Sequence, residues 1–126
     1  MKALTNILVM NDQPNHLNYL AASLRAEQYP VSTAQNSETC LEMLLDGDYD
    51  VAIVDVSKNM PKSQRNGLQV AEQVMRSGIK TRFIVVSNET PDVKDVMKAL
   101  NMGVKAWIEF DSIEMDDLIN RIEKAL

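Results

Sequence analysis

Much of what this chain could do is excluded by what it lacks. Its 126 residues hold a single cysteine, Cys40, so no internal disulfide can form. The role that suits Cys40 is that of a small buried apolar residue. Basic residues are in deficit: 13 Lys and Arg against 18 Asp and Glu leave a formal charge of −5 and a pI near 4.8. Phosphate contacts need clustered Lys and Arg, so direct nucleic-acid binding is not expected. No apolar run approaches the length of a membrane span, and the N-terminus has no signal-peptide hydrophobic region. A soluble, cytoplasmic protein without membrane contact is the expectation. Internal repeats, low-complexity tracts and linkers are also absent.

What is present reads as one globular domain over residues 1–126, with 45% hydrophobic and 25% charged residues. The chain is organised around Tyr49-Asp50-Val51-Ala52-Ile53-Val54-Asp55. Four consecutive apolar residues suit a strand buried on both faces, and the strand delivers Asp55 to its C-terminal tip. Ile7-Leu8-Val9-Met10 is a second such strand, ending at Asn11-Asp12. Pro14 suits a first helical position, and Leu17, Leu20, Ala21 and Leu24 then mark one helical face. Pro30 ends that segment, and Val31-Ser32-Thr33-Ala34 is a short strand. Asn36 or Ser37 caps a helix carrying Cys40, Leu41, Leu44 and Leu45, with Gly47 closing it in the C′ manner.

The region from Ser57 to Gly67 has no periodicity. Beyond it, Leu68, Ala71, Val74 and Met75 mark a third helix ended by Gly78. Arg82-Phe83-Ile84-Val85-Val86-Ser87 is a strand ending at a hydroxyl. Thr90-Pro91 reads as a cap and first helical residue, and Val93, Val96, Met97 and Leu100 repeat the one-face pattern in the fourth helix, which Gly103 ends. Lys105 to Glu109 is a mixed, edge-like strand, and Leu118, Ile119, Ile122 and Leu126 mark a last helix.

Five βα units in succession require right-handed crossovers and a parallel sheet covered on both faces. The small solution is a doubly wound, flavodoxin-like α/β domain of strand order 2-1-3-4-5. Strands 1 and 3 are then neighbours, so Asp12 and Asp55 emerge side by side at the switch point, with Ser87 one strand along. Paired carboxylates suit Mg²⁺, which takes oxygen ligands and keeps several waters. A carboxylate beside such a cation can also be phosphorylated, because the metal neutralises the developing charge.

With these residues in place, the chain from Leu4 to Leu126 resembles the receiver domain of two-component response regulators. The resemblance rests on Ile7–Asp12, on Asp50 to Asp55, on Met60-Pro61 with Gly67-Leu68, on Val85-Val86-Ser87, and on Gly103 to Ile108. It implies a phosphorelay module, not an enzyme beyond self-catalysed phosphotransfer and autodephosphorylation. Asp55 would accept a phosphoryl group from a histidine kinase or phosphotransfer protein. Asp12 and Asp55 would ligate Mg²⁺ with the Ser57 backbone carbonyl, and Asn11 would act through water. Ser87 would be the switch hydroxyl and Trp107 the switch aromatic. The face formed by the fourth helix, fifth strand and fifth helix would bind a partner or a second copy.

The sequence departs from the family in three places. Asn11 stands where a first acid is usual, which predicts weakened Mg²⁺ binding. Phe110 stands at the lysine position after the fifth strand, and Lys105, ahead of the aromatic, is a poor substitute. The loop after Asp55 is about four residues longer than usual by the spacing of the resemblance, and carries Lys58, Lys62 and Arg65, read as solvated charges, with the alternative that one of them supplies the missing positive charge. These departures motivate an alternative, a pseudo-receiver acting as a phosphorylation-independent interaction module. His16, the only histidine, reads as a surface residue near the site mouth. Enzymes of the same topology fit poorly. A flavodoxin-like phosphate cradle would need glycine in the Asn11–Asn15 turn, and a dehalogenase-type phosphatase would need an acid where Ser57 stands.

Overall fold

The computed structural model describes residues 4–56 and 66–126. Five strands alternate with five helices: β1 (Ile7–Met10), α1 (Pro14–Ala26), β2 (Val31–Ala34), α2 (Ser37–Asp46), β3 (Val51–Val54), α3 (Gly67–Arg76), β4 (Arg82–Ser87), α4 (Val93–Met102), β5 (Ala106–Glu109) and α5 (Met115–Ala125). All ladders are parallel, in the order β2-β1-β3-β4-β5. The expected doubly wound topology is what forms.

The strand sequences explain the layering. Successive side chains on a strand point to opposite faces, and here both faces are covered. Ile7, Val9, Val51, Ile53, Ile84 and Val86 pack under α1 and α5, against Leu17, Leu20, Leu24, Leu118 and Ile122. Leu8, Met10, Ala52, Val54, Phe83 and Val85 pack under the other helices, against Cys40, Leu44, Val70, Val74 and Ala99. Cys40 is a buried free thiol, and burial pushes it up to about 12, so it is inert at neutral pH.

Several local expectations are corrected. β3 coincides with the four-residue apolar run, with Tyr49, Asp50 and Asp55 flanking it, while β5 begins at Ala106 rather than Lys105. Leu45 and Leu126 are exposed, and Leu68 and Met75 only half-buried, while Val70 is fully buried in α3. Gly47 ends α2 at φ −102°, not in the left-handed C′ conformation. A Cβ there would lie 2.6 Å from Tyr49 Cε2 and 2.8 Å from Met43 O, so close approach explains the glycine. α4 starts at Val93 with Asp92 at the N-cap, two residues beyond the Thr90-Pro91 start.

α4 is placed differently from the other helices. Its apolar stripe does not pack on the sheet: Val93 is 73% exposed, Met97 58% and Leu100 46%. Ala99 alone in that helix is fully buried. The helix meets the core through Ala99 and the half-buried Met102 and leaves three larger apolar side chains exposed.

Candidate functional site

The register that sets Met10 opposite Val54 carries Asn11, Asp12 and Asp55 out of the sheet together. Ser87 ends the next strand, opposite Glu109. The topology thus brings Asp12, Asp55 and Ser87 to one edge, as expected. Ser57, and with it Lys58, Lys62 and Arg65, lies outside the described residues.

Asp55 is 4% exposed. Its Oδ1 has no hydrogen-bond partner among the described residues. Burial is the largest influence on its carboxyl, followed by hydrogen bonding to and charge repulsion from Asp12. Glu89 adds a smaller repulsion, and a hydrogen bond from the Asp12 backbone N–H works in the opposite sense. Together they push the carboxyl from 3.8 up to about 8. A buried acid beside a second acid favours its protonated form, because burial withdraws solvent from the ionised form and the neighbouring charge repels it.

Asn11 is wholly buried while Asp12 is exposed. The Asn11 side-chain oxygen accepts the Gln13 backbone N–H at 2.9 Å, and its Nδ2 has no partner among the described residues. The amide therefore shapes the turn into α1, and its oxygen, the atom expected to accept from a metal-bound water, is already engaged once.

α3 closes the site from below. Gly67, its first residue, donates its N–H to the Asp55 carbonyl at 3.2 Å. A Cβ at Gly67 would collide with that carbonyl oxygen and lie 2.9 Å from Val54 Cβ. Asn66 and Gln69 form a reciprocal capping box that fixes this end of the helix. The Asn-x-x-Gln spacing was a readable signal for that start.

The Ser87 hydroxyl does not face an open site. It donates to the Glu89 carbonyl at 2.9 Å and accepts the Trp107 indole N–H at 3.0 Å. The hydroxyl and the aromatic named from the sequence are thus directly bonded. Phe110 begins a short 3-10 turn after β5 and packs on the α1–α5 face of the core. It does more than fill space. His16 stacks on it at 3.8 Å between ring centroids and 15° between planes, and Tyr19 meets its edge at 5.8 Å. His16 Nδ1 and Asn88 Oδ1 share a 2.7 Å hydrogen bond. The sequence reading placed His16 near the site mouth but missed Asn88. No local spacing pairs residues 72 apart in the chain.

The arrangement suits a hard divalent cation: two carboxylates side by side, one buried, raised and with an oxygen unengaged. No cluster of three or more His, Cys, Asp or Glu side chains forms among the described residues. Such a cation would complete its shell with carbonyl and water oxygens, as Mg²⁺ does.

Comparison with known proteins agrees with the geometry. A family model described as the response regulator receiver domain matches residues 7–123. The chain is 29% identical over 116 residues to the transcriptional regulatory protein DltR of Streptococcus agalactiae, covering 92% of this chain and 49% of that one. It is 28% identical over 123 residues to the response regulator ArlR of Staphylococcus haemolyticus, covering 98% and 53%. The chain thus spans about half the length of the curated relatives it matches. Among solved structures, the response regulator TrrA of Thermotoga maritima, in complex with Mg²⁺-BeF, aligns with a TM-score of 0.82 and 27% identity, over 98% of this chain and 100% of that one. A receiver domain from Clostridium thermocellum aligns with a TM-score of 0.84 at 22% identity, over 97% and 94%.

Proposed function

Because this chain belongs to the response regulator receiver family, a family of signalling modules rather than enzymes, we propose that it is switched by phosphorylation of Asp55. The single observation that carries this reading is the state of that carboxyl. It is buried, raised to about 8, and beside Asp12, with Oδ1 unengaged among the described residues. A buried acid kept at a cost to stability, at the one sheet edge where this topology does chemistry, calls for a function.

In this reading Asp55 first gives up its proton to solvent, and the carboxylate Oδ1 attacks the phosphorus of a phosphohistidine on a histidine kinase or phosphotransfer protein. The new O–P bond forms as the N–P bond breaks, and the imidazole leaves with the electron pair. Asp12 and Asp55, with the Ser57 carbonyl, would hold Mg²⁺, whose charge offsets that of the transferred group. Asn11, already bonded to Gln13, adds no negative charge, so Mg²⁺ binds more weakly than at a site with three acids. Hydrolysis of the acyl phosphate resets Asp55. This self-catalysed turnover is the only chemistry assigned to the chain.

Ser87 then exchanges the Glu89 carbonyl for a phosphoryl oxygen and Trp107 follows, biasing the α4-β5-α5 face. The exposed Val93, Met97 and Leu100 stripe belongs to that face and is offered to a partner or a second copy. No helix among the described residues is long and apolar enough to cross a membrane, and the proposed setting is the cytoplasm. With a charge of −5, the domain itself is assigned no nucleic-acid contact. DltR is named a transcriptional regulator, which is a statement about that longer protein.

The test is the fluorescence of Trp107, the only tryptophan, titrated with Mg²⁺ and then beryllofluoride. Saturable changes in both steps are expected. No response, with no Mg²⁺ binding by calorimetry, would leave the phosphorylation-independent interaction module instead.

A further inference from the structure

The three residues that follow the core of β4 are each held in place. Ser87 Oγ donates to the Glu89 carbonyl and accepts from the Trp107 indole. Asn88, between them, is joined to His16 on the first turn of α1. The imidazole is itself fixed, lying nearly parallel to the Phe110 ring at 3.8 Å. Phe110 is seated on the core face shared by α1 and α5. His16 therefore ties the β4–α4 connection to two elements that are anchored in the core.

A hydroxyl has one proton to give. The Ser87 proton is engaged by the Glu89 carbonyl, so it reaches an oxygen on Asp55 only when that bond opens. Asn88 sits at the centre of the 87–89 turn that this bond closes, so a backbone rearrangement that opens it also moves Asn88. With the Asn88 oxygen facing it, His16 Nδ1 carries a proton and donates, and that bond is made in the resting arrangement. An interaction present in one state and absent in the other biases the equilibrium by its full free energy.

Resting on the acceptor reading above, we propose that His16 is a positioning residue for the phosphorylation response, acting through Asn88 to hold the β4–α4 connection in the resting state. Phe110, at the position where the family resemblance calls for lysine, is the platform that orients the imidazole. The chain has thereby exchanged a cation that would favour the switched state for a stack and tether that oppose it. The threshold for switching is raised, rather than the capacity lost.

The test is the beryllofluoride midpoint of Trp107 fluorescence at saturating Mg²⁺. It is measured for the parent, for His16→Phe, which keeps a ring to stack on Phe110 and removes the hydrogen bond, and for Asn88→Ala, which removes the bond from the other side. Each single variant is expected to lower the midpoint about threefold to tenfold, the net worth of one side-chain hydrogen bond. The double variant should go no further than either single one, because both remove the same contact. A purely structural role would shift thermal unfolding and leave the midpoint alone. Midpoints unchanged or raised in both variants, with a responsive parent, overturn this inference and leave the acceptor reading standing. A parent that does not respond at all overturns the acceptor reading and this inference with it.

Discussion

Replacing Asp55 with asparagine should stabilise the metal-free protein, and by more as pH rises. The carboxyl is 4% exposed and its ordinary value of 3.8 is raised to about 8. A group with a folded value above its unfolded one binds more protons when folded. Its contribution is present in full below the unfolded value and is lost as pH rises from about 4 to about 8. At pH 7 the unfolded chain is about three units above its titration point, and each unit is worth 1.36 kcal/mol, so the parent loses about 4 kcal/mol. Asparagine keeps the shape, cannot ionise, and can donate to Asp12. Urea unfolding in a chelator at pH 5, 6, 7 and 8 should show Asp55→Asn ahead of the parent, the gap widening by about 1.4 kcal/mol per pH unit. Saturating Mg²⁺ should then stabilise the parent and not the variant, narrowing the gap at pH 8. A gap that is flat across this range, or of the opposite sign, would mean that Asp55 is solvated and ionised without metal, and the burial argument would fail.

Other substitutions probe the neighbours. Asn11→Asp restores a third negative charge at the turn and should tighten Mg²⁺ binding about fivefold by calorimetry, the effect of one charge in a partly solvated site. It should also destabilise the metal-free fold, because the new acid is buried beside Asp12 and Asp55. Gly67→Ala drives a methyl onto the Asp55 carbonyl and should cost about 1–3 kcal/mol in urea unfolding. Trp107→Phe removes the indole donor to Ser87 and should cost about 1 kcal/mol, measured by thermal unfolding. Met97→Glu on the exposed stripe of α4 should leave stability within about 0.5 kcal/mol and weaken self-association or partner capture in the beryllofluoride state, read by sedimentation.

The fold was legible because its signals are local and repeated. Each strand is a short apolar run, and each helix carries a four-residue apolar period between turn residues. Five such units in alternation leave one economical topology. The acidic pair was legible because topology alone brings Asp12 and Asp55 to one edge. Periodicity did not reveal that Asn11 would be the buried member of the turn and Asp12 the exposed one. Which of two adjacent residues faces in is decided by the Asx hydrogen bond to Gln13, a matter of turn geometry. The His16–Asn88–Phe110 cluster was illegible for a different reason. It joins α1, the β4–α4 connection and the end of β5, and only the closed sheet brings these within reach.

The α4 stripe shows where hydrophobic periodicity stops being informative. Val93, Val96, Met97 and Leu100 satisfy the pattern of a buried helical face, yet the first, third and fourth are exposed, and Ala99 and Met102 meet the core instead. Periodicity reports that a helix has two chemically different sides, not which side the sheet receives. Two different surfaces can demand an apolar stripe, the core and a partner, and only burial separates them. A contiguous apolar stripe left in water marks a candidate contact surface for something outside the folded chain. Its position gives that role a direction. α4 follows directly on residues 87–92, the stretch whose first three residues are fixed by Trp107, Glu89 and His16. In the proposed switch, a rearrangement that frees Ser87 for Asp55 would pull on the start of α4 and re-aim the stripe. The proposed switch thus links the buried acid to the exposed stripe through one short connection, in which the contacts at Asn88 and Ser87 would oppose movement.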